Sequence, residues 1–125
     1  MGKNKKILII EDEETLRKAV KDKLEIASFS TVTCSDSVVG LETALRDHPD
    51  LILLDIVMPK MSGLDILKEL RKDVWGKTAE VIMFTNLSDD QSMDEAKRLG
   101  VRDYWVKSSL RLDDILTMVK STLGI

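Results

Sequence analysis

Charged and polar side chains directly follow short apolar runs at four places in this chain of 125 residues. The positions are Glu11 with Asp12, Asp55, Thr85 and Lys107. Crowded carboxylates repel one another and stay ionised only if a positive charge lies among them. A hard cation such as Mg²⁺ binds one or two carboxylates together with waters and phosphate oxygens. With an ammonium and a hydroxyl to contact a phosphoryl group, these residues are the parts of a phosphoryl-transfer site.

The apolar runs that precede these residues predict how the fold brings them together. Continuous runs over residues 7–10, 51–54 and 81–84 are typical of parallel strands covered on both faces. Weaker strand candidates lie at residues 31–34, whose polar content suits an edge, and at residues 104–106. Ligands of an open parallel sheet bind beyond the carboxyl ends of its strands. The residues that follow the runs should therefore meet at one edge of the sheet.

Segments of helical spacing lie between the runs and after the last one. In one of them Leu67, Leu70 and Val74 share a face, and in another a capping box at Ser88 predicts a helix that reaches Leu99. Strands and helices thus alternate five times, which indicates βαβ units with right-handed crossovers. The predicted fold class is α/β, with a five-stranded, doubly wound parallel sheet.

Length and composition narrow the class of protein. The chain is 33% charged and 43% hydrophobic with a formal net charge of -3, which fits one domain and gives no basic surface for nucleic acid or membrane. No apolar run approaches the roughly 20 residues of a membrane span, and the start lacks a signal peptide. We expect a cytoplasmic domain over residues 1–125, with a short basic tail at residues 1–5 and no effector domain.

The ordered spacing of these residues resembles the receiver domain of two-component response regulators over essentially the whole chain. The resemblance is carried by the pair Glu11-Asp12, the segment Asp55-Ile56-Val57-Met58-Pro59, Gly63, Thr85 and Lys107. It implies the flavodoxin-like (βα)5 receiver fold and a signalling domain, rather than an enzyme, that catalyses only its own phosphotransfer and dephosphorylation.

The resemblance also implies a role for each site residue. Asp55 would accept a phosphoryl group from a histidine kinase or a histidine phosphotransfer protein. Asp12 and Asp55 would bind Mg²⁺ directly, Glu11 would bind it through a water, and the backbone carbonyl of Val57 would be a further ligand.

Three other residues would respond to the phosphoryl group. Lys107 would contact it, Thr85 would move towards it, and Tyr104 occupies the position of the family's switch aromatic. Phosphorylation would then switch a face that a downstream protein binds, with a phosphorylation-dependent dimer left open and no direct contact to nucleic acid or membrane.

Two positions depart from the pattern of similar proteins. Lys107 is followed by Ser108, where receivers usually have a proline after a cis bond. Asn86 follows Thr85, where a small residue is common, and we expect its side chain to crowd Asp55.

Three alternative functions remain open from the residues. A phosphohydrolase of the haloacid-dehalogenase type would also use an Asp nucleophile and Mg²⁺, but it needs a second Asp where Val57 stands. A flavin-binding module would need a phosphate loop where this chain has acidic residues 11–14. A receiver-like scaffold would keep the fold and bind its partner without phosphorylation.

Overall fold

The computed structural model describes residues 4–125, so residues 1–3 of the expected basic tail lie outside the described residues. Five parallel strands form one sheet with the order β2-β1-β3-β4-β5. The strands are β1 (Lys6–Ile10), β2 (Ser30–Cys34), β3 (Leu51–Leu54), β4 (Val81–Thr85) and β5 (Asp103–Val106). The predicted class, a five-stranded parallel doubly wound sheet, is confirmed, and β2 lies at an edge as its polar content suggested.

Five α-helices connect or follow these strands. They are α1 (Glu14–Ile26), α2 (Ser37–Asp47), α3 (Gly63–Lys72), α4 (Asp90–Arg98) and α5 (Leu112–Leu123). Short 3₁₀ turns at Gly76–Thr78 and Lys107–Ser109 precede β4 and follow β5. No helix among residues 4–125 is long and apolar enough to cross a membrane.

The core has two layers, one on each face of the sheet. Alternate residues of the same strand enter different layers: Leu8 and Ile10 pack with α2 and α3, whereas Ile7 and Ile9 pack with α1 and α5. Because both faces are covered, the central strands are apolar except at Lys6 and Thr85, which is why they appear in the sequence as continuous runs. The carboxyl ends of these strands are thereby held at fixed positions along one edge.

Two helix boundaries differ from the prediction. Helix α3 ends at Lys72 because Asp73 adopts an extended conformation, and Val74 is 94% exposed rather than part of an apolar face. Helix α4 is capped by Asp89, whose carboxylate accepts a hydrogen bond from the Ser92 N–H, and not by Ser88. Aspartate and serine are about equally good N-caps, so the two neighbouring residues could not be ranked from sequence.

Candidate functional site

Two adjacent strands place the central carboxylates. The Asp55 N–H donates to the Ile10 carbonyl at 3.1 Å, which continues the β1–β3 pairing by one residue and brings the start of both loops together. On the other side of β1, the Glu11 N–H donates to the Cys34 carbonyl at 3.0 Å. Sheet hydrogen bonds therefore hold the backbone of both acids, and both side chains are almost wholly buried, whereas Asp12 is exposed.

The three carboxylates form one cluster with a lysine beside it. Glu11, Asp12 and Asp55 each offer an oxygen within 4.8 Å of the others. The Lys107 ammonium donates to Oδ2 of Asp55 at 2.9 Å and lies 2.5 Å from Oε1 of Glu11. Six of the seven predicted site residues, all except Tyr104, line one shallow depression together with Glu13 and Asn86.

Burial and neighbouring charges shift the pKa of two groups in this cluster. Burial raises the pKa of the Glu11 carboxyl above its usual range, and the charge of Asp55 adds to the effect, although Lys107 and the Glu13 N–H oppose it. Burial alone lowers the pKa of Lys107, but its contacts with Glu11 and Asp55 outweigh that effect, so the pKa of Lys107 is raised. Both shifts favour the protonated form: Lys107 holds its charge more firmly, and the Glu11 carboxyl binds a proton more readily than an exposed glutamate does.

The residues present fit a divalent cation. Three carboxylates against one ammonium leave an excess of negative charge, and oxygen ligands are those that Mg²⁺ prefers. In addition, Oε1 of Glu11 is buried and accepts no hydrogen bond of regular geometry from residues 4–125, although the Lys107 ammonium lies 2.5 Å away. A buried carboxylate oxygen without a hydrogen bond is costly unless another positive partner satisfies it.

Thr85 and Tyr104 both contact the backbone of Leu87. The buried hydroxyl of Thr85 accepts a hydrogen bond from the Leu87 N–H at 3.2 Å. The phenol of Tyr104 donates to the Leu87 carbonyl. The loop between β4 and α4 therefore links the threonine at the site to the half-buried tyrosine on β5 through one residue.

Two contacts at the site were not anticipated from sequence. Arg17 on α1 donates to the carbonyls of Glu11 and Asp12 at 3.0 and 3.3 Å, and so fixes the acidic loop. A cation near a helix N-terminus opposes the helix dipole, and this unfavourable placement was a signal of another role. Asn86 lines the same depression as Asp55, and its side chain accepts a hydrogen bond from the Ser108 N–H at 2.9 Å.

The turn that begins at Lys107 and the residue two positions after Asp55 also border the site. The peptide bond between Lys107 and Ser108 is trans, and a 3₁₀ turn begins at Lys107. Val57 is 61% exposed beside Asp55, and its N–H donates to Oδ1 of Asp55 at 3.3 Å. An apolar side chain at this position cannot act as a general acid, so the site lacks the second Asp of the phosphohydrolase alternative.

Comparison with known proteins gives one family and several relatives. The family model described as "Response regulator receiver domain" matches residues 7–120. The chain is 36% identical over 102 residues to "Probable transcriptional regulator ycf27" of Porphyridium aerugineum, covering 82% of this chain and 41% of that protein. It is 33% identical over 104 residues to "Alkaline phosphatase synthesis transcriptional regulatory protein PhoP" of Bacillus subtilis, covering 83% and 42%. The chain thus spans about two fifths of the length of these curated relatives.

Solved structures share the fold. The CheY-like response regulator receiver domain protein of Methanospirillum hungatei superimposes with a TM-score of 0.89 at 24% identity, covering 96% of this chain and 94% of that one. The Francisella response regulator 1452 receiver domain gives a TM-score of 0.86 at 26% identity, covering 97% and 98%.

Proposed function

The chain belongs to the response regulator receiver domain family of two-component signalling, and from that membership we propose that Asp55 is its phosphoacceptor. The observation that carries the proposal is the position of the Asp55 carboxylate. It is buried at the end of a central strand, and its oxygen lies within 4.8 Å of those of two other carboxylates. It also accepts a hydrogen bond from the Lys107 ammonium. A signalling domain needs one such carboxylate that a phosphorylated donor can reach.

The proposed donor is a histidine kinase or a histidine phosphotransfer protein. A carboxylate oxygen of Asp55 forms a bond to phosphorus as the phosphorus–nitrogen bond of the phosphohistidine breaks, and the released imidazole takes up a proton. Lys107 compensates the negative charge of the transferred group, because its ammonium already lies at the Asp55 carboxylate. The proposed domain catalyses only its own phosphotransfer and its dephosphorylation, in which water attacks the phosphorus of the acyl phosphate, releases inorganic phosphate and restores the Asp55 carboxylate.

Glu11, Asp12, Asp55 and the carbonyl of Val57 are the residues that would hold Mg²⁺. When bound, the ion supplies charge neutralisation between the carboxylates and the incoming phosphoryl oxygens. Without the ion, two cations keep the acidic residues in place. Lys107 contacts their carboxylates, and Arg17 donates to their backbone carbonyls.

Phosphorylation is proposed to change the face formed by α4 and β5. Thr85 donates its hydroxyl to the phosphoryl group and releases the Leu87 N–H, which weakens the link between Leu87 and Tyr104. A downstream protein that binds this face then distinguishes the two states. We place this exchange in the cytoplasm, because a histidine kinase draws its phosphoryl group from ATP there.

The first experiment tests Asp55 directly. The purified domain is incubated with acetyl phosphate and Mg²⁺, and its intact mass is measured for wild type, Asp55→Asn and Asp22→Asn, the last removing an exposed carboxylate on α1. We expect wild type and Asp22→Asn to gain one phosphoryl group, Asp55→Asn to gain none, and a chelator of Mg²⁺ to suppress the gain. A phosphorylated Asp55→Asn protein would contradict the assignment. A wild type that never gains mass, yet binds its partner, would favour the phosphorylation-independent scaffold.

A further inference from the structure

One side-chain hydrogen bond joins the loop that follows Thr85 to the 3₁₀ turn that begins at Lys107. The amide oxygen of Asn86 accepts a hydrogen bond from the Ser108 N–H at 2.9 Å. A backbone N–H can only donate, so the amide must present its oxygen rather than its nitrogen to this atom. The bond spans 22 residues of sequence and links the loop after β4 to the 3₁₀ turn after β5.

The two bonded residues are each next to a residue of the site. Thr85 precedes Asn86 and is fully buried, whereas Lys107 precedes Ser108 and bonds to Asp55. Within the turn itself, the Leu110 N–H donates to the Lys107 carbonyl at 3.2 Å, which closes the turn but ties it to no other loop. Besides the contacts of the Lys107 ammonium with Asp55 and Glu11, the Asn86 side chain therefore joins the exposed part of this turn to the loop after β4.

The identities at positions 86 and 108 depend on each other. Proline at position 108 would have no N–H to donate, and alanine at position 86 would have no acceptor. Ser108 has the N–H and Asn86 has the side-chain oxygen, and the two form the observed hydrogen bond. The same bond holds the Asn86 side chain towards the turn.

We propose that Asn86 is a positioning residue for phosphotransfer, which holds the Lys107 turn so that the ammonium lies at Asp55 and couples this turn to the Thr85 loop. The proposal rests on the function proposed above for Asp55. Lys107 has a long, flexible side chain, and its position at two carboxylates is set by the backbone from which it extends. A turn freed from Asn86 would place the ammonium less accurately, and small errors of position lower reaction rates.

The test uses three variants of the full chain. Asn86→Ala removes the acceptor, Asn86→Asp keeps an acceptor oxygen, and Ser109→Ala removes an exposed hydroxyl from the same turn as a control. Amide hydrogen exchange of Ser108, measured by NMR without phosphate or Mg²⁺, reports the bond itself. The rate of phosphorylation by acetyl phosphate reports its effect on the site, and thermal unfolding checks that each variant folds.

We expect Asn86→Ala to accelerate exchange of the Ser108 amide and to slow phosphorylation, each by about three- to tenfold, the range that corresponds to one net hydrogen bond. Asn86→Asp should restore slow exchange of the Ser108 amide, and Ser109→Ala should change neither the exchange nor the phosphorylation rate. Wild-type rates in Asn86→Ala, or exchange of the Ser108 amide that stays fast in Asn86→Asp, would overturn the positioning role alone. A wild-type protein that is not phosphorylated would instead refute the proposed function, and the positioning role with it.

Discussion

Helices α3 and α4 are neighbours on the same side of the sheet, yet they are attached to it very differently. Helix α3 buries four of its ten residues, whereas α4 buries only Ala96 among nine. Both contribute to one core layer, in which α3 supplies Ile66, Leu67 and Leu70. A helix gains most of its stability in a protein from its buried apolar face, so α3 is anchored and α4 is weakly held.

The beginnings of the two helices continue this contrast. The Gly63 N–H at the start of α3 donates to the Ile56 carbonyl at 2.9 Å, directly after Asp55. The segment before α4 is held instead by single hydrogen bonds that involve side chains. The side chains of Thr85 and Asn86 each accept one, and the Tyr104 phenol donates one. The anchored helix thus adjoins the carboxylate proposed to accept the phosphoryl group, and the weakly held one adjoins the residues proposed to move. This division suits a domain that reacts at one point and reports at another.

The largest expected effect comes from the start of α3. A Cβ added to Gly63 would lie 2.1 Å from the Asp55 carbonyl oxygen and 2.8 Å from the Ile56 Cα, both backbone atoms. Gly63→Ala therefore forces α3 away from the Asp55 loop, and we expect it to lower the free energy of unfolding by about 3 kcal/mol or more. Chemical denaturation followed by circular dichroism measures this change.

Gly100→Ala, just past α4, is the matched control. Gly100 has a φ of +75°, and an added Cβ would meet only the Arg71 guanidinium at 3.9 Å. The cost is then the strain of a left-handed alanine, about 1 kcal/mol. If the two variants lost equal stability, the start of α3 would not be the more tightly held region, and the contrast between the helices would fail.

A smaller effect is expected within the native protein. Amides of α3 around Leu67 and Leu70 should exchange hydrogen only through nearly global unfolding, because their side chains are fully buried. Amides of α4 should exchange through local opening, at a free energy lower by about 2 kcal/mol, or roughly thirtyfold faster. Equal protection of both helices, measured by NMR under native conditions, would show that α4 is as firmly attached as α3.

Much of the fold was predictable because burial leaves a pattern in the sequence. Strands covered on both faces are apolar along most of their length, so β1, β3 and β4 stand out as continuous runs. Helix ends were harder, because apolar spacing continues to Val74 although the backbone leaves the helix at Asp73. Only contacts with the rest of the fold decide such an end, and these are not visible in a local pattern.

The site divides in the same way. Its residues follow strand ends, so the topology of a parallel sheet was enough to predict that Glu11, Asp55 and Lys107 meet. The contact of Asn86 was not predictable, because its amide can both donate and accept and its partner lies 22 residues away in the sequence. The partner, the Ser108 N–H, belongs to the backbone of a turn whose conformation the sequence does not specify.

The smallest expected effect concerns Tyr104, whose phenol contacts the loop before α4 and is therefore a probe of the weakly held helix. Burial raises the pKa of the Tyr104 phenol above its usual value of about 10, and the negative charges of Asp89 and Asp55 raise it further. The folded state therefore holds this proton more tightly than the unfolded state does. The resulting stability is complete below the unfolded pKa and is lost as the pH rises through the higher folded pKa.

Tyr104 is the sole tyrosine of the chain, so ultraviolet absorbance of tyrosinate measures its titration without interference from another tyrosine. We expect a midpoint above that of the denatured protein. Asp89→Asn should lower this midpoint slightly, because asparagine caps α4 as well as aspartate does but carries no charge. A midpoint equal to the denatured value would mean that the ring is fully hydrated. The α4 side would then lack even the contact between Tyr104 and Leu87, and coupling from Thr85 to the β5 face would need another path.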